Sequence, residues 1–348
     1  MDRIDIIKKQ IDNFDTSKFK ILSKKDLRKM SEEEVDEYYR NYRIYLYKTD
    51  GLVTDHDKHL KFHRLVQIGL PIMRKLEGRK LIINRDDRIY GDKPRIYCST
   101  HVGRHDVETG IEAIGEQAYL VYGDPNETYF DFNGFLLDHN GRINLNTDRK
   151  YEIDRYIANE TMIKHVEEGH NIYIYPEGAE NIYGDHFKTN NYYDYPYMYE
   201  FDIIERYGFV LKNYSGAAKT AILTGADIVP MSIYRVKKDN YVVSFGKNLN
   251  FSGERIEDVE VLADVIRTAE INLQWENMKM YGVVLERSKI NDVREASLEY
   301  TKDIMSSMPP RYTEYDIENT RFHEKEKTLD EWRKYNKRLD YFEKKYLK

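Results

Sequence analysis

A chain of 348 residues with 41% hydrophobic composition can bury a full core, as one large domain or two modest ones. Its 55 Lys and Arg stand against 61 Asp and Glu, a formal net charge of -6. A mildly acidic chain lacks the basic field that gathers nucleic acid, so any anion it binds has to be gripped locally.

The one cysteine, Cys98, excludes an intramolecular disulfide and a thiolate metal cage. The charged start MDRIDIIKKQ has no signal-peptide pattern, and no apolar run nears the roughly 20 residues of a spanning helix. The expectation is a cytoplasmic protein, with peripheral membrane contact still open to it. The 31 tyrosines are unusual enough to be weighed as binding surface.

Residues 1–79 read as an N-terminal helical region. EEEVDEYYRNYRIYLY is one amphipathic helix, and Asp57 to Leu76 is a second. In the second, Phe62, Leu65, Val66, Gly69, Met73 and Leu76 follow a helical stripe despite Pro71. Lys58, Lys61, Arg64, Arg74 and Lys75 occupy its other face. That pattern fits either a helix packed on its own domain or one lying on an anionic membrane.

Residues 80–253 change to short β-type runs between helical patterns, the texture of an α/β domain with a mostly parallel sheet flanked by helices. The expected strands are KLIIN (80–84), RIYCS (95–99), RINLN (142–146), NIYIY (171–175), DIVPMSIY (227–234) and YVVSFG (241–246). VKKDN joins the last two as a hairpin. A helix from Asp154 to Glu168, with Ile157, Met162, Ile163 and Val166 inward and Gly169 ending it, makes a crossover between parallel strands. Residues 254–348 are again helical and highly charged, suited to capping the sheet, to self-association or to a solvated helix with i,i+4 ion pairs.

Two segments share one plan. RIYCST runs into His101, and NIYIY runs into Pro176, Glu177 and Gly178. Strand carboxyl ends in a parallel sheet line a common edge where ligands bind, so His101 and Glu177 are expected to face one crevice. A spacing of five puts His101 and Asp106 about 140° apart on a regular helix. They meet if His101 lies in the turn after the strand and Asp106 in the first turn of the next helix, with Gly103 permitting the tight backbone. Asp106 then accepts from one imidazole nitrogen and leaves the other as a base. No serine sits in an elbow motif, so the nucleophile would be a substrate hydroxyl deprotonated by His101.

His101, four residues and Asp106 resemble the first motif of the glycerolipid (lysophosphatidic acid) acyltransferases. YPEGAEN (175–181) resembles their FPEGTRS block, GRINLNTDR (141–149) is similar to their glycine to Asp-Arg block, and IVPMSI (228–233) to their IVPV block. The order and approximate spacing match over about residues 76 to 250. The resemblance implies the family's fold and acyl transfer from acyl-CoA or an acyl-carrier-protein thioester to a hydroxyl of a lysophospholipid-like acceptor. It implies His101 as general base, Asp106 as its orienter, Pro176, Glu177 and Gly178 shaping the acceptor site, and Arg149 on the acceptor's phosphate. No cofactor and no metal are implied.

Three departures fall on the acceptor side. Ala179 and Glu180 replace Thr-Arg, the arginine block is two residues longer and leaves Arg142 competing with Arg149, and a tyrosine-rich insert (182–200) precedes Lys212 and Gly216. A glycolipid or otherwise larger acceptor follows as an expectation, since tyrosines stack on sugars and cover apolar chains.

Rival readings use the same stretch. His101, His105 and Asp106 could hold zinc or iron in a metal-dependent hydrolase, although Gly103 would interrupt the helix that reading requires. Cys98 and His101, three apart on a strand, point to opposite faces, which suits Cys98 as a buried hydrophobe better than as a nucleophile. A non-catalytic lipid-binding module is the third reading.

Overall fold

The computed structural model describes residues 3–53, 55–103, 105–123, 132–145, 152–178, 210, 213–236, 240–281 and 329–348. The helices are α1 (Arg3–Asp12), α2 (Lys24–Leu27), α3 (Glu32–Lys48), α4 (His56–Leu76), α5 (Asp106–Ile114), α6 (Phe132–Asn140) and α7 (Glu152–Glu167). They continue with α8 (Gly216–Thr224), α9 (Val259–Tyr281) and α10 (Leu329–Tyr346). The strands are β1 (Leu81–Asp86), β2 (Arg95–Ser99), β3 (Ala118–Gly123), β4 (Arg142–Leu145), β5 (Asn171–Ile174), β6 (Asp227–Val236), β7 (Asn240–Phe245) and β8 (Leu249–Asn250). The expected α/β class with a mostly parallel sheet flanked by helices holds. The chain packs as two units, residues 1–68 with 116–174, and residues 69–115 with 175–348.

In the first unit β3 lies between β5 and β4 and runs parallel to both. The crossover through α7 thus connects parallel strands with β3 between them. Ile157, Met162 and Val166 of α7 are buried as its periodicity requires, Ile163 is half-buried, and Gly169 follows the helix at φ +85°. Ile157 packs with Ile7, Ile11 and Ile44, drawing α1 and α3 onto α7. Asp154 is 1% exposed and is held by Arg43 at 3.0 Å, so the charge buried between α3 and α7 is compensated. A reciprocal cap, Ser31 with Glu34, starts α3.

In the second unit the order is β1-β7-β6-β2, with β8 on the free stretch of β6. β1 with β7 and β2 with β6 are parallel, while β6 and β7 form the expected hairpin, Val236 opposite Asn240. Every residue of β2 and eight of the ten in β6 are buried, which is why both read as near-continuous apolar runs. Tyrosine proves to be core material here. Tyr97, Tyr234 and Tyr241 in this unit, and Tyr119 and Tyr173 in the other, are at most 1% exposed.

α9 carries a buried polar stripe at helical spacing: Asp264, Arg267, Glu270, Gln274 and Asn277 are all at most 3% exposed. Ser232 of β6 donates to Gln274 at 2.6 Å and Ser244 of β7 to Asn277 at 2.8 Å. Buried polar groups have to be paired, so these contacts fix the rotation and register of α9 on its strands more sharply than apolar contact would.

α4 departs from a packed helix. His63 is its buried residue, whereas Leu65, Ile68, Ile72, Met73 and Leu76 are between 50% and 82% exposed. Arg74 is not among the solvent-facing cations expected there, because it grips Glu112 through Nε and Nη2 at 2.8 to 3.1 Å. Among the described residues no helix is long and apolar enough to cross a membrane.

Candidate functional site

The site grows from the carboxyl end of β2. The Thr100 hydroxyl donates to Ile233 O and accepts from Ile233 N at 3.1 and 3.0 Å, fastening the strand end to β6. The next residue, His101, is therefore launched from a fixed backbone. Gly103, at φ +77°, turns the chain in the left-handed conformation that glycine adopts without penalty, and α5 begins at Asp106.

That turn closes on Asp106. Its Oδ2 accepts from His101 Nδ1 at 2.7 Å and from the backbone N–H groups of Val102 and Gly103, both at 2.8 Å. The carboxylate is 1% exposed and stands at the amino end of a helix, where the dipole favours negative charge. Since a carboxylate only accepts, Nδ1 carries the proton and the imidazole's basic lone pair is on Nε2. The His101 side chain is 23% exposed and stacks on Tyr175, ring centroids 4.3 Å apart.

The turn after β5 supplies the second wall. Glu177, 1% exposed, accepts from the His101 backbone N–H through Oε1 at 2.7 Å. Pro176 O accepts from Tyr214 N at 2.8 Å, and Gly178 sits at φ +69° under the Tyr214 ring, where an added Cβ would come within 2.6 Å of it. Pro176 and Gly178 thus shape the turn that presents Glu177.

Of the residues expected at the site, His101, Asp106, Pro176, Glu177 and Gly178 fall together. Arg149, Ala179, Glu180, Lys212 and the tyrosine-rich insert lie outside the described residues. Arg142, the competitor of Arg149, has its guanidinium 2.8 Å from Asp138 in the first unit. His105 pairs with Glu108 rather than with His101 or Asp106. Among the described residues no three His, Cys, Asp or Glu side chains are grouped to hold a metal ion. Cys98 is fully buried, and burial, with Glu270 nearby, pushes its thiol well above the ordinary range.

Sequence reasoning missed Tyr175, Asn213, Tyr214 and Glu270. Tyr175 closes an apolar strand and gives no chemical signal. Asn213 and Glu270 act through a buried contact 57 residues apart in the chain, and Tyr214, itself 60% exposed, acts through a backbone bond and a ring contact to a turn far from it in sequence.

No family model matches the sequence, and no curated protein matches it significantly. Among solved structures, the fold is similar to the crystal structure of the 1-acyl-sn-glycerophosphate (LPA) acyltransferase PlsC from Thermotoga maritima. The match has 13% identity and a TM-score of 0.46, covering 74% of this chain and 95% of that one. A likeness at this level says nothing of substrate or chemistry.

Proposed function

We propose that the protein transfers an acyl group from an acyl-CoA or acyl-carrier-protein thioester to a hydroxyl of a lysophospholipid-like or glycolipid acceptor. The observation that carries this reading is the His101 Nδ1 to Asp106 Oδ2 bond of 2.7 Å, which leaves Nε2 as the basic nitrogen at a strand end. The four sequence blocks, in the family's order, support the same chemistry. Nε2 takes the acceptor's hydroxyl proton as its oxygen attacks the thioester carbonyl. The tetrahedral intermediate collapses with loss of the thiolate, which recovers that proton, and Asp106 steadies the imidazolium in between. The acyl group never resides on the protein, and no cofactor is needed. Arg149 holds the acceptor's phosphate in this reading.

A screen of both thioester donors against lysolipid and glycolipid acceptors tests this directly. Acylated product that accumulates only with donor and acceptor together is expected. Thiol release indifferent to every acceptor would make the protein a thioesterase and sink the proposal.

Peripheral membrane contact belongs to the same reading. The exposed Leu65, Ile68, Ile72, Met73 and Leu76 lie on a helix that also bears Lys58, Lys61 and Arg64. Together they provide apolar area to enter the interface and charge to attract anionic headgroups. Flotation with anionic vesicles should fall when Lys58, Lys61 and Arg64 are neutralised, and further with Leu65→Ser and Ile68→Ser. Binding unchanged by both sets would remove α4 as the contact.

A further inference from the structure

α9 grips the chain just before the Tyr214 brace at two points. Arg267 donates to Val210 O through Nε at 3.2 Å and Nη2 at 2.5 Å. One turn along the same face, Glu270 Oε2 accepts from Asn213 Nδ2 at 2.7 Å. All four residues are at most 3% exposed. The next residue, Tyr214, donates its N–H to Pro176 O and lays its ring against Gly178. Glu177, whose carboxylate holds the His101 backbone, lies between those two braced positions.

We propose that Glu270 is a positioning residue for the His101 site: through Asn213 and Tyr214 it fixes the turn of Pro176 to Gly178, and so the Glu177 carboxylate that holds His101. The inference rests on reading His101 as the base, but the placement it describes is independent of any substrate. The acid is suited to a support role. Burial, joined by the Glu177 charge, pushes Glu270 well above the usual carboxylate range, against the smaller opposing effect of the Asn213 bond. The neutral form accepts from Asn213 without setting a second negative charge beside Glu177. An apolar residue of the same size would leave the Asn213 amide buried and unpaired.

The test compares Glu270→Leu, Glu270→Gln and Asn213→Ala with the wild-type full chain by two readings. The first is the backbone amide signal of His101 in protein labelled with nitrogen-15 histidine, assigned with His101→Gln. Because the amide is bound to a carboxylate, Glu270→Leu should move its proton signal upfield, while Glu270→Gln, neutral and able to accept from Asn213, should keep the wild-type position. The second is turnover. Glu270→Leu should lower kcat on the order of 10- to 100-fold at an unchanged KM for the thioester, as expected for a misplaced base, with rescue by Glu270→Gln. A wild-type His101 signal in Glu270→Leu, or Glu270→Gln as damaging as leucine, overturns the proposal. Should Glu270→Leu fail to fold, Asn213→Ala decides: a displaced His101 signal supports the proposal and an unmoved one overturns it. The amide reading needs no substrate, so it stands or falls even if the wild type transfers no acyl group.

Discussion

Replacing Asp106 with alanine is expected to destabilise the protein by about 2–4 kcal/mol and to reduce turnover by roughly 10²- to 10⁴-fold. Both effects come from one oxygen. Oδ2 satisfies two backbone N–H groups, of Val102 and Gly103, and orients His101. Alanine leaves those donors buried without an acceptor, opens the tight turn and frees the imidazole to rotate or change tautomer. Asparagine separates the two losses. Its carbonyl oxygen can accept from the same donors, so urea unfolding should show only about 1 kcal/mol lost, as charge-assisted bonds become neutral ones. Turnover should still fall roughly 10²-fold or more, because a neutral amide does not stabilise the imidazolium that forms during proton transfer. An asparagine variant as active as wild type would mean that Asp106 holds the turn and nothing more.

The second large effect is on pH stability and arises in the first unit. Tyr119 Oη lies 3.0 Å from His56 Nδ1 and 3.2 Å from His59 Nδ1. His170 stacks on His56 at 3.7 Å, and its Nδ1 is 3.2 Å from His165 Nδ1. The last contact needs one ring nitrogen as donor and the other as acceptor, so at least one ring of the pair is neutral. Burial, reinforced by the neighbouring histidines, lowers His165 from 6.5 to about 3 and His170 from 6.5 to about 4. Their folded values are depressed, so the unfolded chain binds more protons below its own pKa. The stability they contribute is complete above about pH 6.5 and is lost as pH falls toward 4. The unfolding free energy from urea titrations should drop across that window by on the order of 3 kcal/mol, the share of the buried His165, because solvent screens the half-buried His170; His165→Gln should flatten the profile. A wild-type profile level from pH 7 to pH 4.5 would show that these rings do not govern acid stability.

Much of the second unit was legible because its signals are local. RIYCS and DIVPMSIY are apolar on both faces and could be strands without knowing their neighbours. His101 and Asp106 lie on either side of a single turn, and Glu177 repeats the plan after another strand. The strand β3, AYLVYG, was not read, although it is a short apolar run of the same kind as RIYCS. α8, GAAKTAILT, has no polar face and was likewise invisible. The stripe on α4 has the spacing of a packed face yet remains largely exposed, since periodicity records which residues share a side and not what covers it. Glu270 illustrates the deeper limit. In sequence it is one acid in a charged helix, and only pairing with Asn213, far along the chain, distinguishes it from a solvated residue.

The most direct measurement is the turnover of His101→Ala beside wild type, under single-turnover conditions with the preferred thioester and acceptor. Loss of the Nε2 base predicts a fall of roughly 10²- to 10⁴-fold in the acyl-transfer step with thioester binding preserved. Transfer by His101→Ala at the wild-type rate would contradict general-base catalysis by His101.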